Sequence, residues 1–98
     1  MTKRDINFLS TLEDVIRQRL ADAGEGSYTA SLAAAGSRRI AQKVGEEAVE
    51  LALASIDGGR DETIAEAADL VYHLLVLLAD RDITLAEIAA ELSARHQA

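Results

Sequence analysis

The residues with chemical content fall in two short runs, Glu46-Glu47-Ala48-Val49-Glu50 and Glu66-Ala67-Ala68-Asp69. Residues three apart on a helix share a face. On helices, Glu47 and Glu50 therefore form one acidic patch and Glu66 and Asp69 a second, with Glu46 bordering the first. A turn centred on Gly58 brings the two patches level, because Glu50 and Glu66, and likewise Glu47 and Asp69, lie equally far on either side of it. Carboxylates at close quarters repel one another and lose hydration, a cost relieved by a proton or by a hard divalent cation with oxygen ligands. Acids at this spacing also occur on ordinary solvated helix faces. The matched register and the apolar surroundings favour the cation. All-carboxylate ligation suits magnesium, with manganese as the alternative, rather than zinc. The Glu-x-x-His motif expected of a di-iron bundle does not occur.

Around these acids lie residues suited to an anion. Arg39, Lys43, Glu46, Glu47 and Glu50 follow one broad stripe, with the bases toward the helix N-terminus, where the dipole also favours negative charge. A polyphosphate can contact Arg39 and Lys43 while a cation bridges it to the carboxylates; the plainer alternative is a Lys43–Glu47 surface pair. His73, four after Asp69, is within reach of the site, although a histidine in so apolar a run is more commonly a hydrogen-bonded core residue. The sequence has no cysteine, P-loop or GxGxxG, and neither histidine has a serine–acid partner in sequence. The chemistry left is attack by water, activated by metal or carboxylate, on a metal-held phosphate.

Four helical segments must position these groups. The first runs from about Asp5 to Ala21, with Phe8, Leu9, Leu12, Val15, Ile16 and Leu20 at helical spacing, and ends at Gly24-Glu25-Gly26. Ser27-Tyr28-Thr29 opens a short alanine-rich stretch that stops at Gly36. Ser37 is the expected N-cap of a long second helix reaching about Ile56. Asp57-Gly58-Gly59-Arg60 is a tight break with a glycine suited to a left-handed C-cap. Asp61 is the expected cap of the third helix, to about Ala79, and Thr84 that of the fourth, Leu85 to about Arg95. Short connections favour antiparallel neighbours, so the second and third helices form a hairpin. Ile64, Leu70, Val71, Leu74, Leu75, Val76, Leu77 and Leu78 surround most of the third helix, and a helix apolar on most sides is buried on most sides. The expectation is an all-α helical bundle around a central antiparallel hairpin, residues 1–98 forming one domain, its core completed by homodimerisation.

Composition narrows the rest. A chain of 98 residues without proline accommodates long uninterrupted helices. With 49% hydrophobic and 28% charged residues it is neither disordered nor membranous, its apolar stretches being broken well short of the ~20 residues of a transmembrane helix. A net charge of −7 opposes non-specific nucleic-acid binding but is compatible with an anionic ligand held through a divalent cation. The start, Met1-Thr2-Lys3-Arg4-Asp5, does not read as a signal peptide, and the lack of cysteine fits a cytoplasmic protein.

Ser27-Tyr28-Thr29-Ala30-Ser31-Leu32, the run Ile40 to Glu50, and the run Glu66 to Leu78 resemble the phosphoribosyl-ATP pyrophosphatase family, the likeness spanning about Phe8 to His96. The pattern EExxE followed by ExxD marks only the wider all-α nucleoside triphosphate pyrophosphatase superfamily, with MazG-like enzymes and dimeric dUTPases; the SYT and QKVGEEAVE runs narrow it. The resemblance implies hydrolysis of 1-(5-phosphoribosyl)-ATP to 1-(5-phosphoribosyl)-AMP and pyrophosphate, the second step of histidine biosynthesis. It implies Glu47, Glu50, Glu66 and Asp69 as magnesium ligands, with Glu46 ligating or positioning water. Tyr28 and Lys43 fall in matching runs, as phosphate contacts or, for Tyr28, as a packing residue beside the hairpin. Many members are fused to a cyclohydrolase domain, and this chain reads as the free-standing form. The rival readings are a house-cleaning pyrophosphatase of the MazG or dUTPase kind and a non-catalytic helical oligomerisation module.

Overall fold

The structure, a computed structural model, describes residues 5–22 and 26–97. Five helices follow in order: α1 (Phe8–Ala21), α2 (Tyr28–Ala35), α3 (Ser37–Asp57), α4 (Arg60–Asp80) and α5 (Leu85–Arg95). Among the described residues there is no strand, so the all-α expectation holds. The alanine-rich stretch after Ser27 is itself a helix. The Ser27 hydroxyl caps it by accepting from the Ala30 N–H at 3.0 Å. Of the stop expected at residues 24–26, Gly24 and Glu25 lie outside the described residues.

The long helices α3 and α4 form the hairpin. Its open end is tied by Ser37, whose hydroxyl donates to Asp80 Oδ2 at 2.7 Å, joining the start of α3 to the end of α4. Ser37 is therefore not the N-cap of α3. That position belongs to Gly36, whose φ of +100° lets the chain turn directly out of α2, a conformation side-chain-bearing residues rarely adopt. Asp61 is likewise not the cap of α4: Gly59 caps it, and Asp61 sits in the first turn with Glu62, where acidic charge meets the positive end of the dipole. Nor is the break between the helices left-handed, since Gly58 has φ −99° and Gly59 φ −91°. Gly58 sits in a tight place instead: a Cβ there would stand 2.6 Å from Glu62 Oε1, a side chain that can swing away, and 3.0 Å from the Ala54 carbonyl oxygen.

The core lies where α1 and α2 cover the hairpin. Ile16, Leu32, Ile40, Leu75 and Val76 form its buried centre, with Leu12, Leu20, Tyr72 and Leu77 packed around them. On α4 the apolar residues divide. Leu75, Val76 and Leu78 are buried, whereas Ile64, Val71 and Leu74 remain exposed on the single chain. Thr84 caps α5 as expected, in a capping box with Glu87. This last helix buries no residue of its own, and Glu13 Oε2 of α1 holds its start by accepting from the Leu85 N–H at 2.6 Å. Among the described residues, no helix is long and apolar enough to cross a membrane.

Candidate active site

Glu47 on α3 comes together with Glu66 and Asp69 on α4; the register about Gly58 pairs it with Asp69 alone. One carboxylate oxygen from each lies within 4.8 Å of the others. Glu47 is buried at 6% exposure, Glu66 is half-buried and Asp69 exposed, so the cluster opens from the hairpin seam to solvent. Among the described residues, Glu47 Oε1 and Glu66 Oε1 are both buried without a hydrogen-bond partner. Orphaned, desolvated carboxylate oxygens are costly, and within a cluster of three carboxylates they suit a hard divalent cation. Burial pushes the Glu66 carboxyl above its ordinary range, and the charges of Glu50, Asp69 and Glu47 push it the same way.

Glu50, the fourth expected ligand, stands apart from this group of three. It is exposed and borders Glu66, the two lining an open cavity of about 280 Å³ toward the α3–α4 turn. Glu46 is turned to the bases: the Gln42 amide donates to its Oε2 at 2.8 Å, and Lys43 Nζ and Arg39 Nη1 each lie 3.9 Å from its Oε1. Lys43 Nζ also lies 3.1 Å from Glu47 Oε2. That hydrogen bond is the main reason the Lys43 ammonium is held above its ordinary range, with Tyr28, Glu47 and Glu46 adding to it and burial opposing. The Lys43–Glu47 pair is thus not an exposed surface pair but one edge of the acidic cluster.

His73 is a buried, hydrogen-bonded residue. Its Nδ1 donates to the Asp69 carbonyl oxygen at 2.7 Å, and its Nε2 lies 2.9 Å from the Tyr28 hydroxyl. Sequence reasoning leaves Tyr72 and Gln42 without a role. The Tyr72 ring stacks on Tyr28 with centroids 6.0 Å apart, and its hydroxyl is hydrogen-bonded to that of Thr29. Gln42 steadies Glu46 across one helical turn, and its four-residue spacing from Glu46 was the signal available for it.

The profile of the phosphoribosyl-ATP pyrophosphohydrolase family matches residues 9–96, a span that contains every one of these groups. The chain belongs to this family. A phosphoribosyl-ATP pyrophosphatase of Metallosphaera sedula is 54% identical over 87 residues, covering 89% of this chain and 94% of that protein. Histidine biosynthesis bifunctional proteins HisIE are equally similar. That of Shewanella oneidensis is 53% identical over 90 residues, covering 92% of this chain and 43% of the relative. That of Pasteurella multocida is 54% identical over 95 residues, covering 97% and 47%. This member of the pyrophosphohydrolase family therefore spans less than half the length of the bifunctional relatives it matches, and nearly the whole of the Metallosphaera protein.

Proposed function

We propose that this chain hydrolyses 1-(5-phosphoribosyl)-ATP to 1-(5-phosphoribosyl)-AMP and pyrophosphate, in histidine biosynthesis, as a magnesium-dependent cytoplasmic enzyme. The observation that carries the reading is the cluster of Glu47, Glu66 and Asp69, two of whose oxygens are buried and unpartnered among the described residues, with Lys43 against Glu47, inside a chain of this family.

Glu47, Glu66 and Asp69 would hold the metal, with Glu50 completing the set from its place beside Glu66; manganese has the same preference for oxygen ligands. Bound there, magnesium would offset the charge of the triphosphate as pyrophosphate leaves. The protein supplies the rest. Lys43, anchored by Glu47, and Arg39, next to Glu46, present positive charge to the phosphates at the edge of the acidic cluster. Glu46 is steadied by Gln42, Lys43 and Arg39, which suits a carboxylate that orients water.

The same reading includes a homodimer. Val49, Leu53 and Ile56 on α3, and Ile64, Val71 and Leu74 on α4, are exposed large apolar residues at helical spacing on the two site-bearing helices. A second copy covering them would complete the core of a single-domain protomer and exclude water beside the site.

The test is pyrophosphate release from phosphoribosyl-ATP with magnesium and then with EDTA, with dUTP and dCTP in parallel. Magnesium-dependent release from phosphoribosyl-ATP, abolished by EDTA, is expected. Faster turnover of dUTP or dCTP would move the chain to the house-cleaning reading. No turnover of any nucleotide by folded protein would favour an oligomerisation module.

A further inference from the structure

Tyr28 is the third residue that the sequence suggests for phosphate, and its hydrogen bonds argue otherwise. A carbonyl oxygen only accepts, so the bond from His73 to the Asp69 carbonyl requires the hydrogen on Nδ1. The neutral imidazole has one N–H, which leaves Nε2 with a lone pair. The Tyr28 hydroxyl, 2.9 Å from that nitrogen, must therefore donate to it. A phenol has a single O–H, so what Tyr28 retains for a ligand is lone pairs alone. A phosphate oxygen, itself only an acceptor, gains nothing from such a group. A ligand hydroxyl does.

The surroundings support that polarity. The Tyr28 ring is fixed by the stack on Tyr72 and by edge contact with His73, ring centroids 5.6 Å apart. Half of Tyr28 is still exposed, and His73 links its hydroxyl to the backbone of Asp69, so the residue stands beside the acidic cluster. It also walls an open groove of about 470 Å³ on α2, whose lining includes the hydroxyl-bearing Ser27 and Ser31 and the small residues Ala30 and Ala34. Alanines leave room there for a ring as wide as a pentose.

We propose that Tyr28 accepts a hydrogen bond from a sugar hydroxyl of the nucleotide substrate, and that His73 is the positioning residue that fixes this polarity. The inference rests on the pyrophosphatase reading and adds to it a contact that selects the nucleoside part of the substrate over bare polyphosphate.

The test measures KM for phosphoribosyl-ATP and the inhibition constant of inorganic tripolyphosphate, at about pH 8 with magnesium, for the full chain and its Tyr28→Phe variant. Loss of one substrate hydrogen bond should raise KM about tenfold, with tripolyphosphate inhibition unchanged. A parallel weakening of tripolyphosphate would make Tyr28 a phosphate contact and overturn the proposal, as would an unchanged KM. The His73 variants give an independent readout. His73→Gln, whose amide oxygen restores an acceptor for the Tyr28 hydroxyl, should keep KM within about threefold, whereas His73→Phe should shift it about tenfold. If the two variants behave alike, His73 acts by packing and the positioning role falls. A wild-type protein inert toward phosphoribosyl-ATP would instead remove the pyrophosphatase reading itself, and this inference with it.

Discussion

Lys43 Nζ lies 3.1 Å from Glu47 Oε2, while the other oxygen of the same carboxylate, Oε1, is buried with no partner among the described residues. One side of Glu47 is neutralised by a cation one turn earlier on its own helix, and the other is left for a ligand. Replacing Lys43 with methionine removes the one compensation this carboxylate has among the described residues. The metal-free variant should therefore melt below wild type, and saturating magnesium should narrow the difference by supplying the missing charge. Activity should fall tenfold or more, on the order expected for losing one charge contact to phosphate. An equal melting deficit with EDTA and with magnesium would show that Lys43 and the acidic cluster are not coupled.

Glu66 gives the metal-free protein a pH dependence of definite sign. Its carboxyl is raised above the ordinary 4.5, chiefly by burial and then by Glu50, Asp69 and Glu47. The folded state therefore binds the proton more tightly than the unfolded chain does, and stability falls as pH rises from 4.5 through the raised value. Below 4.5 both states are protonated and the penalty is gone. Glu66→Gln should flatten this part of the profile and raise the melting temperature in EDTA at neutral pH. The same change should cut turnover on the order of 100-fold. Thermal melts across pH in EDTA check the first outcome, and a melting profile unchanged by the substitution would refute it.

The exposed apolar stripe on the hairpin predicts a concentration-dependent assembly. Leu53 is 57% exposed on the single chain, and Leu53→Glu should leave the helices intact while converting a dimer to monomer in sedimentation velocity. The melting temperature of wild type, but not of the variant, should then rise with protein concentration. A wild-type protein that sediments as a monomer at all concentrations would remove the dimer.

Thr84 offers a stability test away from the site. Its hydroxyl accepts from the Glu87 N–H at 3.2 Å, and the Glu87 carboxylate returns the bond to the Thr84 N–H at 3.0 Å. Thr84→Ala should cost about 1 kcal/mol in urea denaturation. Amide exchange should quicken in α5 first, because that helix buries no residue of its own. Pyrophosphate release should be unaffected.

The cap at Thr84 was legible from its residue type just before an apolar-periodic run, and the structure adds Glu87 three residues on as its capping-box partner. Ser37 was equally plausible by residue type, yet its hydroxyl goes to Asp80, forty-three positions away, and Gly36 takes the cap. The difference is physical: a cap needs non-helical backbone at its own position, and that is set by how α2 meets α3. The helical state of Tyr28–Ala35 was similarly obscured, since eight residues rich in alanine are marginal as a helix until Leu32 is buried against the core.

For the candidate site, the sequence by itself determined which acids share a face and that Glu47 and Asp69 stand level across the hairpin. Both follow from helical periodicity and from the symmetry of a turn at Gly58, and neither needs knowledge of packing. Only the tertiary structure decided that Glu47 is buried while Glu50 stays exposed. It also decided that Glu46 is drawn to Gln42, Lys43 and Arg39, and that His73 joins the Asp69 carbonyl to Tyr28. Those outcomes depend on desolvation and on partners from distant parts of the chain, and periodicity carries no information about either.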